Sequence, residues 1–567
     1  MPKKLPYGQS DFAKIIEQNY AYVDKTRYIE LLENENNTFQ FILRPRRFGK
    51  SLFLSLLENY YDINKKNEYE SLFGNLYIGR NPTPEQGKYA ILRFDFSVLD
   101  TETHDLFRKS FSNTVQERVI NFLKMYSDIF KDVKQDIKLI KENNLGTDAL
   151  EIAYTAAADA DVPIFVIVDE YDNFANDLIA MGKDYKNEVQ AGGLVRTFYK
   201  SLKAATSSVV KRIFITGVSP MMINDLTSGF NIATDYSLFP KYNEMFGFTK
   251  EEVEWVMKEA GVDRDLIKVD MEAYYNGYMF NEEGTNKVYN SQMVLYLFNM
   301  IMQLDKQPNE IVDANLKTDY GRLRSLVNNK SNGEKLLKIA TDGKIAANIT
   351  EKFSFDKMMS EDYFISLLFY IGMLTVDDVV EGQLYVKIPN YSIQTLYWDY
   401  VISYLRDMED DNDGASTLVL AEKVREMAFR GNIKPFINYF TENYLKHLLS
   451  NRDLQRFNEK NIKMLMLAKL YDSGLYLPKS EDENVNGYVD IYAQKHPAKP
   501  TIKYEYVIEV KYAKTNAAEA EIAAKISEAK TQIEKYKKDN RFVDRNDVKF
   551  AALLFKGKGD CEVIYES

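Results

Sequence analysis

Cysteine is nearly missing from this 567-residue chain, in which Cys561 is the one thiol. A lone cysteine excludes disulfides within the chain and any zinc site built on paired thiolates. Three histidines, His104, His447 and His496, are too scattered to suggest a metal cluster. Long apolar runs are missing too: none approaches the roughly 18 residues that a membrane-spanning helix needs. The opening stretch, MPKKLPYGQSDF, carries lysines but no apolar core of a secretory leader. These absences predict a cytoplasmic protein with no membrane partner. Positive charge is also short, with 73 Lys and Arg against 84 Asp and Glu for a net charge of −11. That balance argues against a protein basic all over, while local basic patches remain open to nucleic acid.

What is present suits a large globular protein. Hydrophobic residues make up 45 % and charged residues 28 %, and the length predicts about three domains. The 40 tyrosines read as half-buried packing residues with a wet hydroxyl.

The chain is organised around Phe39 to Glu58, FQFILRPRRFGKSLFLSLLE. Phe39, Phe41 and Leu43 alternate as one face of a strand, and Leu52, Leu56 and Leu57 recur with helical spacing. Gly49, Lys50 and Ser51 stand at the junction. A nucleotide's phosphates need oriented N–H groups at a helix start, a lysine for the β/γ oxygens and a hydroxyl for Mg²⁺. Gly49-Lys50-Ser51 supplies all three. The general phosphate-loop pattern has glycine five residues before Gly49, and here that residue is Arg44.

Downstream, Tyr89 to Phe96 reads as a strand, His104 to Tyr126 as a long helix, and Ile164 to Val168 as a strand buried on both faces that runs into Asp169 and Glu170. In a phosphate-loop ATPase the first acid holds Mg²⁺ and the second polarises the attacking water, and Asp169 and Glu170 fit those roles. Arg212 to Thr216 is a third strand, whose end offers Thr216 or Ser219 as a polar group near the γ-phosphate. The alternation predicts a mostly parallel α/β sheet with its site at the strands' carboxyl ends.

From Phe248 the pattern turns helical, opening on a capping box at Thr249 and Glu252. Helix Asp362 to Ile371, then Met373 to Val376 and Gln383 to Ile388, predict a helix followed by a hairpin, as in a winged-helix lid. Such a lid packs on a nucleotide domain or contacts DNA, and the residues leave both open. The acidic run Glu409 to Gly414 is a candidate linker.

Near the C-terminus, Tyr488 to Tyr492 and Tyr504 to Tyr512 predict a hairpin. Period two puts Glu505, Val507, Glu509 and Lys511 on one face. If Asp490 faces them, two carboxylates can hold Mg²⁺ against a phosphodiester, with the Val510 carbonyl as a further oxygen. Lys511 would then orient the attacking water or help deprotonate it. A helix with Glu459 near its start precedes the hairpin, and helix Ala517 to Tyr536 with strand Val548 to Leu554 completes an α/β core.

Taken together, LPYGQSDF, YVDKT, LRPRRFGKSL, VIVDEYD, ITGVSPM, YNGYMF, VYNS, IGMLTV, IPN, NGYVDIY and VIEVKY make the chain resemble a bacterial family. In that family an AAA-ATPase-like domain is fused to a C-terminal PD-(D/E)XK nuclease-like domain. The resemblance implies an α/β fold with three parts: a P-loop NTPase sheet over 1–246, a helical lid with a winged-helix-like hairpin over 247–415, and a helical connector with a restriction-endonuclease-like domain over 416–567. It implies ATP and Mg²⁺ as cofactors, with nucleotide contacts along Arg46, Arg47, Phe48, Gly49, Lys50, Ser51 and Leu52, and with Asp169, Thr216 and Ser219 beyond them. Ser51, Asp169, Asp490, Glu509 and Val510 are the implied metal ligands, and Glu170, Asp490, Glu509 and Lys511 the implied catalytic groups. The expected activity is ATP hydrolysis coupled to cleavage of nucleic acid, DNA first, in defence or mobile-element biology. The alternative is a nucleotide-gated switch whose last domain binds nucleic acid or protein without cutting. A homo-oligomer is a further expectation, because ATPases of this class often take an arginine from a neighbour. Two departures stand out: this chain has Gly487-Tyr488-Val489-Asp490 where the family commonly has Gly-Arg-x-Asp, and the Tyr-Trp pair usual in the family's middle region is not evident around Asp313 to Asp319.

Overall fold

The structure, a computed structural model, describes residues 2–174, 188, 193–220, 231–314, 316, 330–351, 353, 361–408, 417–445, 459–484, 487–496, 499–557 and 559–567. The expected acidic linker, 409–414, lies outside them. The chain forms two compact units, each assembled from separate stretches: Met1–Leu266, Tyr275–Lys306 and Ala346–Pro389 make the first, and Ile267–Tyr274, Gln307–Ile345 and Asn390–Ser567 the second. Residues of the 247–415 stretch thus fall in both.

In the first unit, β1 (Phe39–Leu43), β2 (Ala90–Asp95), β3 (Ile164–Asp169), β4 (Val210–Gly217) and β5 (Thr234–Asp235) form one sheet in the order β2-β3-β4-β1-β5. Every neighbouring pair is parallel, as the alternation of strands and helices predicts. β3 is buried at all six positions, the state that calls for its unbroken apolar run. The register sets Asp95 beside Asp169 and Leu43 beside Gly217. The polar ends of these strands therefore share one edge. β5 is only two residues long, too short for any periodic signal.

Local chemistry explains the flanking elements. Helix α1 (Phe12–Glu17) starts where the Asp11 carboxylate accepts the Lys14 N–H at 3.2 Å. The Phe12 N–H then donates to Ser55 Oγ at 3.0 Å, which ties α1 to α2 (Lys50–Tyr61). Helix α3 (His104–Met125) is capped by Thr103, whose hydroxyl accepts the Leu106 N–H at 3.3 Å. The capping box of Thr249 and Glu252 forms as expected. Lys25, from the YVDKT stretch, donates to Glu252 at 2.7 Å and to the Glu244 carbonyl at 2.9 Å, fastening the N-terminal segment to that same cap. Later in this unit come α4 (Ser291–Leu304), a helix over Glu361–Tyr370, and an antiparallel hairpin of Thr375–Val380 with Gln383–Lys387.

The second unit contains a mixed sheet of β6 (Tyr476–Asn484), β7 (Gly487–Lys495), β8 (Glu505–Ala513), β9 (Val548–Lys556) and β10 (Asp560–Glu566), in the order β10-β9-β8-β7-β6. β7 is antiparallel to β6 and β8, β8 is parallel to β9, and β9 is antiparallel to β10. Helix α5 (Glu459–Asp472) precedes the sheet, and α6 (Glu519–Tyr536) crosses between β8 and β9. The core under α6 gathers Val489, Tyr492, Val507, Ala529, Ile533, Tyr536, Phe542, Val548, Phe550 and Ala552. The two outer strands were not expected from the sequence. β6 spells YLPKSEDEN, a polar run with a proline, and edge strands tolerate such residues because one side needs no partner. Among the described residues no helix is long and apolar enough to cross a membrane.

Candidate functional sites

The phosphate-loop candidate begins where β1 ends. Arg44 is 1 % exposed, and its side chain turns into the unit's interior. One guanidinium nitrogen donates to the carbonyls of Leu43 and Ser237, both at 2.7 Å, and another to the Tyr242 carbonyl at 2.7 Å. The plane lies 4.2 Å from the centre of the Phe280 ring. Burial lowers its pKa to about 10. The residue that breaks the glycine pattern is therefore a structural pin, not a candidate arginine for the γ-phosphate.

The remaining loop is held from three sides. Gly49 adopts φ +95° as it leads into α2, a conformation that favours glycine. The Arg47 carbonyl accepts from Ser291 Oγ at 3.3 Å and from the Gln292 N–H at 3.4 Å. The Phe48 carbonyl accepts the Gly247 N–H at 3.1 Å, and the Phe48 ring meets Tyr278 and Phe280 edge-on at 4.9 and 5.7 Å. Gly372, at φ +83°, lies so close to Pro45 that a Cβ there would come within 2.8 Å of the ring. YNGYMF, VYNS and IGMLTV thus supply walls of the loop. Arg46 donates to Asn173 Oδ1 at 3.1 Å, and Leu52 is half-buried on the first turn of α2.

Lys50 is 5 % exposed, and its ammonium donates to the carbonyls of Arg44 at 3.0 Å and Pro45 at 3.1 Å. Burial lowers its pKa, opposed by Glu170, Asp169 and Asp172. Asp169, 2 % exposed at the end of β3, has its pKa raised by burial and held back by Lys50 and by a hydrogen bond from Ser51. Lysine, hydroxyl and first acid are thereby gathered as expected. Glu170 is half-buried, with φ +52°; burial raises its pKa, while Lys50 and Arg46 lower it. A left-handed glutamate costs about 1 kcal/mol, the kind of strain that collects at working sites.

The two candidates beyond β4 are already engaged. Thr216 Oγ1 donates to the Ile42 carbonyl at 2.8 Å, so it fastens β4 to β1 inside the sheet. Ser219 Oγ donates to Asp172 Oδ2 at 2.9 Å, and Asp172 also accepts the N–H groups of Val218 and Ser219 at 3.0 and 2.8 Å. Sequence reasoning passed over Asp172 although it follows VIVDEY. It also passed over Arg93, which sits 2.7 Å from Glu58 and 3.4 Å from Asp169. A lone arginine within an apolar strand is the signal that could have found it.

In the second unit the ladder pairs Ile491 with Ile508, and the next residues outward are Asp490 and Glu509. Antiparallel partners share a face, so the expected juxtaposition of these carboxylates is present. Asp490 Oδ2 accepts the Val510 N–H at 2.9 Å, which fixes the carboxylate through Val510's backbone. Glu509, 2 % exposed, has its pKa raised to about 7 by burial and by Asp490. Lys511 lies 3.0 Å from Glu509 and 2.9 Å from Glu528, and Tyr536 donates to Glu509 Oε2 at 2.9 Å. Burial favours a neutral Lys511, but Glu509 and Glu528 outweigh it and leave the pKa raised.

Two further partners were not assigned from the sequence. Lys463 on α5 is hydrogen-bonded to Asp490 Oδ1 and stands 3.3 Å from Glu459. Tyr536 on α6 faces Glu509 from above the sheet. Spacing alone could not place either, because each sits on a helix packed against the strand it serves.

Both donor sets are oxygen throughout, which suits a hard cation such as Mg²⁺. The raised pKa of Glu509 beside Asp490 also describes two carboxylates that a divalent cation would relieve. Among the described residues no three His, Cys, Asp or Glu side chains gather as a metal cage. Mg²⁺ asks for less, taking one or two carboxylates and completing its shell with water and phosphate. The residues present fit the ion at both places, where Ser51 and Asp169 would hold it at one and Asp490 and Glu509 at the other.

Comparison with known proteins matches two separate stretches of the chain. Residues 6–227 match a family described as predicted AAA-ATPase, and residues 457–563 match the PD-(D/E)XK nuclease superfamily. A protein of Azotobacter chroococcum mcd 1, called an uncharacterized protein in the vnfD 5′ region, is 31 % identical over 303 residues, or 52 % of each chain. The match thus spans about half the length of that curated relative. A Walker-type ATPase of Pyrococcus abyssi is 13 % identical with a TM-score of 0.39, over 70 % of this chain and 98 % of that one.

Proposed function

For a chain that joins an AAA-ATPase-like domain at residues 6–227 to a PD-(D/E)XK nuclease-superfamily domain at residues 457–563, we propose ATP hydrolysis coupled to cleavage of nucleic acid. The observation that carries the reading is the placement of Asp490 and Glu509 next to the Ile491–Ile508 pair of β7 and β8, with Lys511 on Glu509.

In the first domain Lys50 would leave the Arg44 and Pro45 carbonyls for the phosphate oxygens, and Ser51 with Asp169 would hold Mg²⁺. Glu170, next to Asp169 and with its pKa raised by burial, would take the proton of the attacking water. In the last domain Asp490 and Glu509 would hold the second Mg²⁺, while the Tyr536 hydroxyl and the Lys511 ammonium fix the Glu509 carboxylate. Lys511 would also orient the attacking water or help deprotonate it. When bound, the cation supplies charge neutralisation at phosphate and a more acidic water. ATP turnover would drive the change that presents nucleic acid, DNA first, to the nuclease.

The test is incubation of labelled DNA with the full chain, Mg²⁺ and ATP. Fragments are expected from the natural chain and none from Glu509→Ala combined with Lys511→Ala. Uncut DNA beside intact ATP turnover would overturn the nuclease half and favour a nucleotide-gated switch.

A further inference from the structure

Lys463 occupies the oxygen that the proposed cation needs. It is 8 % exposed, it is hydrogen-bonded to Asp490 Oδ1, and its ammonium is 3.3 Å from Glu459 Oε1. Glu459 and Lys463 are four residues apart on α5, so they share one helix face. The other Asp490 oxygen is taken by the Val510 N–H at 2.9 Å. The carboxylate is therefore fixed in orientation, with Oδ1 turned to the lysine.

Resting on the nuclease reading above, we infer that Lys463 is a built-in competitor of the metal, which must release Asp490 and retire to Glu459 before a divalent cation can bind. Three observations support this. Two cations cannot share one half-buried carboxylate oxygen without strong repulsion. An ammonium so deeply placed is costly to leave without an anion, and Glu459 is the second acid within reach. The lysine stem is flexible enough to swing between acids on either side of it. Lys463 is thus a positioning residue: it sets how tightly the cation is held and keeps Asp490 neutralised until the cation arrives. Glu459 is the parking place that makes the exchange possible.

The test is Mn²⁺ binding to the full chain without nucleotide, followed by electron paramagnetic resonance, with Asp490→Asn as the reference that isolates this site. Lys463→Met should tighten Mn²⁺ by about tenfold, a modest fraction of a close charge pair. Glu459→Gln should weaken it, since the ammonium then has only Asp490. In the Lys463→Met background, Glu459→Gln should change nothing. Weakening there would mean that Glu459 binds the metal itself, and would overturn the exchange. If Asp490→Asn removes a site but Lys463→Met binds no more tightly, the competition fails while the nuclease reading stands. If Asp490→Asn leaves Mn²⁺ binding untouched, the metal reading fails first. Should Lys463→Met not fold, Lys463→Arg serves instead: its forked pairing with Asp490 should weaken Mn²⁺, and unchanged or tighter binding would refute the proposal.

Discussion

The ammonium of Lys50 rests on the carbonyl of Arg44, 3.0 Å away. The lysine expected to grip phosphate is thus held by the backbone of the residue that replaces the pattern's glycine. Phosphate would exchange two neutral carbonyls for charged oxygens, which charge-assisted bonds favour. ATP with Mg²⁺ should therefore raise the melting temperature of the natural chain, and Lys50→Ala should abolish that rise. At a hundredfold excess over Kd that rise corresponds to about 2.7 kcal/mol. Equal stabilisation of both proteins by ATP would remove Lys50 from the site.

Arg44 is expected to matter for the fold and not through its charge at phosphate. Arg44→Gly, which restores the general pattern, should destabilise the first unit by about 3 to 5 kcal/mol, because three carbonyls lose their donors and a ring-sized space opens. Arg44→Lys should recover little, since an ammonium cannot span Leu43, Ser237 and Tyr242 as the planar fork does. Urea unfolding decides the matter; an Arg44→Gly protein as stable as the natural one would contradict it.

Arg93 ties Asp169 to Glu58. Arg93 fixes the orientation of the Asp169 carboxylate, which loses that brace when the guanidinium is removed. Arg93→Ala should lower ATP turnover by about ten- to a hundredfold and raise the Mg²⁺ concentration needed for half-maximal rate. Unchanged Mg²⁺ dependence would show that Arg93 only braces the sheet.

Glu509 should leave a mark on stability versus pH. Its pKa is raised from 4.5 to about 7 by burial and Asp490, so the folded state holds the proton more tightly than the unfolded one. Stability contributed by that proton is present at the acid end and is lost as pH rises through this window, then is constant above it. Thermal melting between about pH 5 and pH 8 should show that fall, and Glu509→Gln should flatten it. A natural chain and variant with parallel curves would place Glu509 in an ordinary environment.

Much of the architecture was legible because it rests on short-range rules. The strand at Ile164–Asp169 announces itself as a continuous apolar run, and Thr249 with Glu252 makes a cap that needs no tertiary help. β6 and β10 were not legible, because an edge strand has half its surface free and does not need an apolar pattern. Nor were the partners that Thr216 and Ser219 take, since which way a hydroxyl points depends on the neighbouring strand and on Asp172.

By itself the sequence determined where charge and hydroxyl meet a helix start, which strands end in acids, and which alternate residues share a face. Those are matters of chain period and local geometry. Only the tertiary structure decided that Arg44 turns inward, that Arg93 braces Asp169, and that Lys463 holds Asp490 from a helix 27 residues away. A buried charge takes whichever partner the packing brings within reach, and that choice is made by distant segments that no local pattern records.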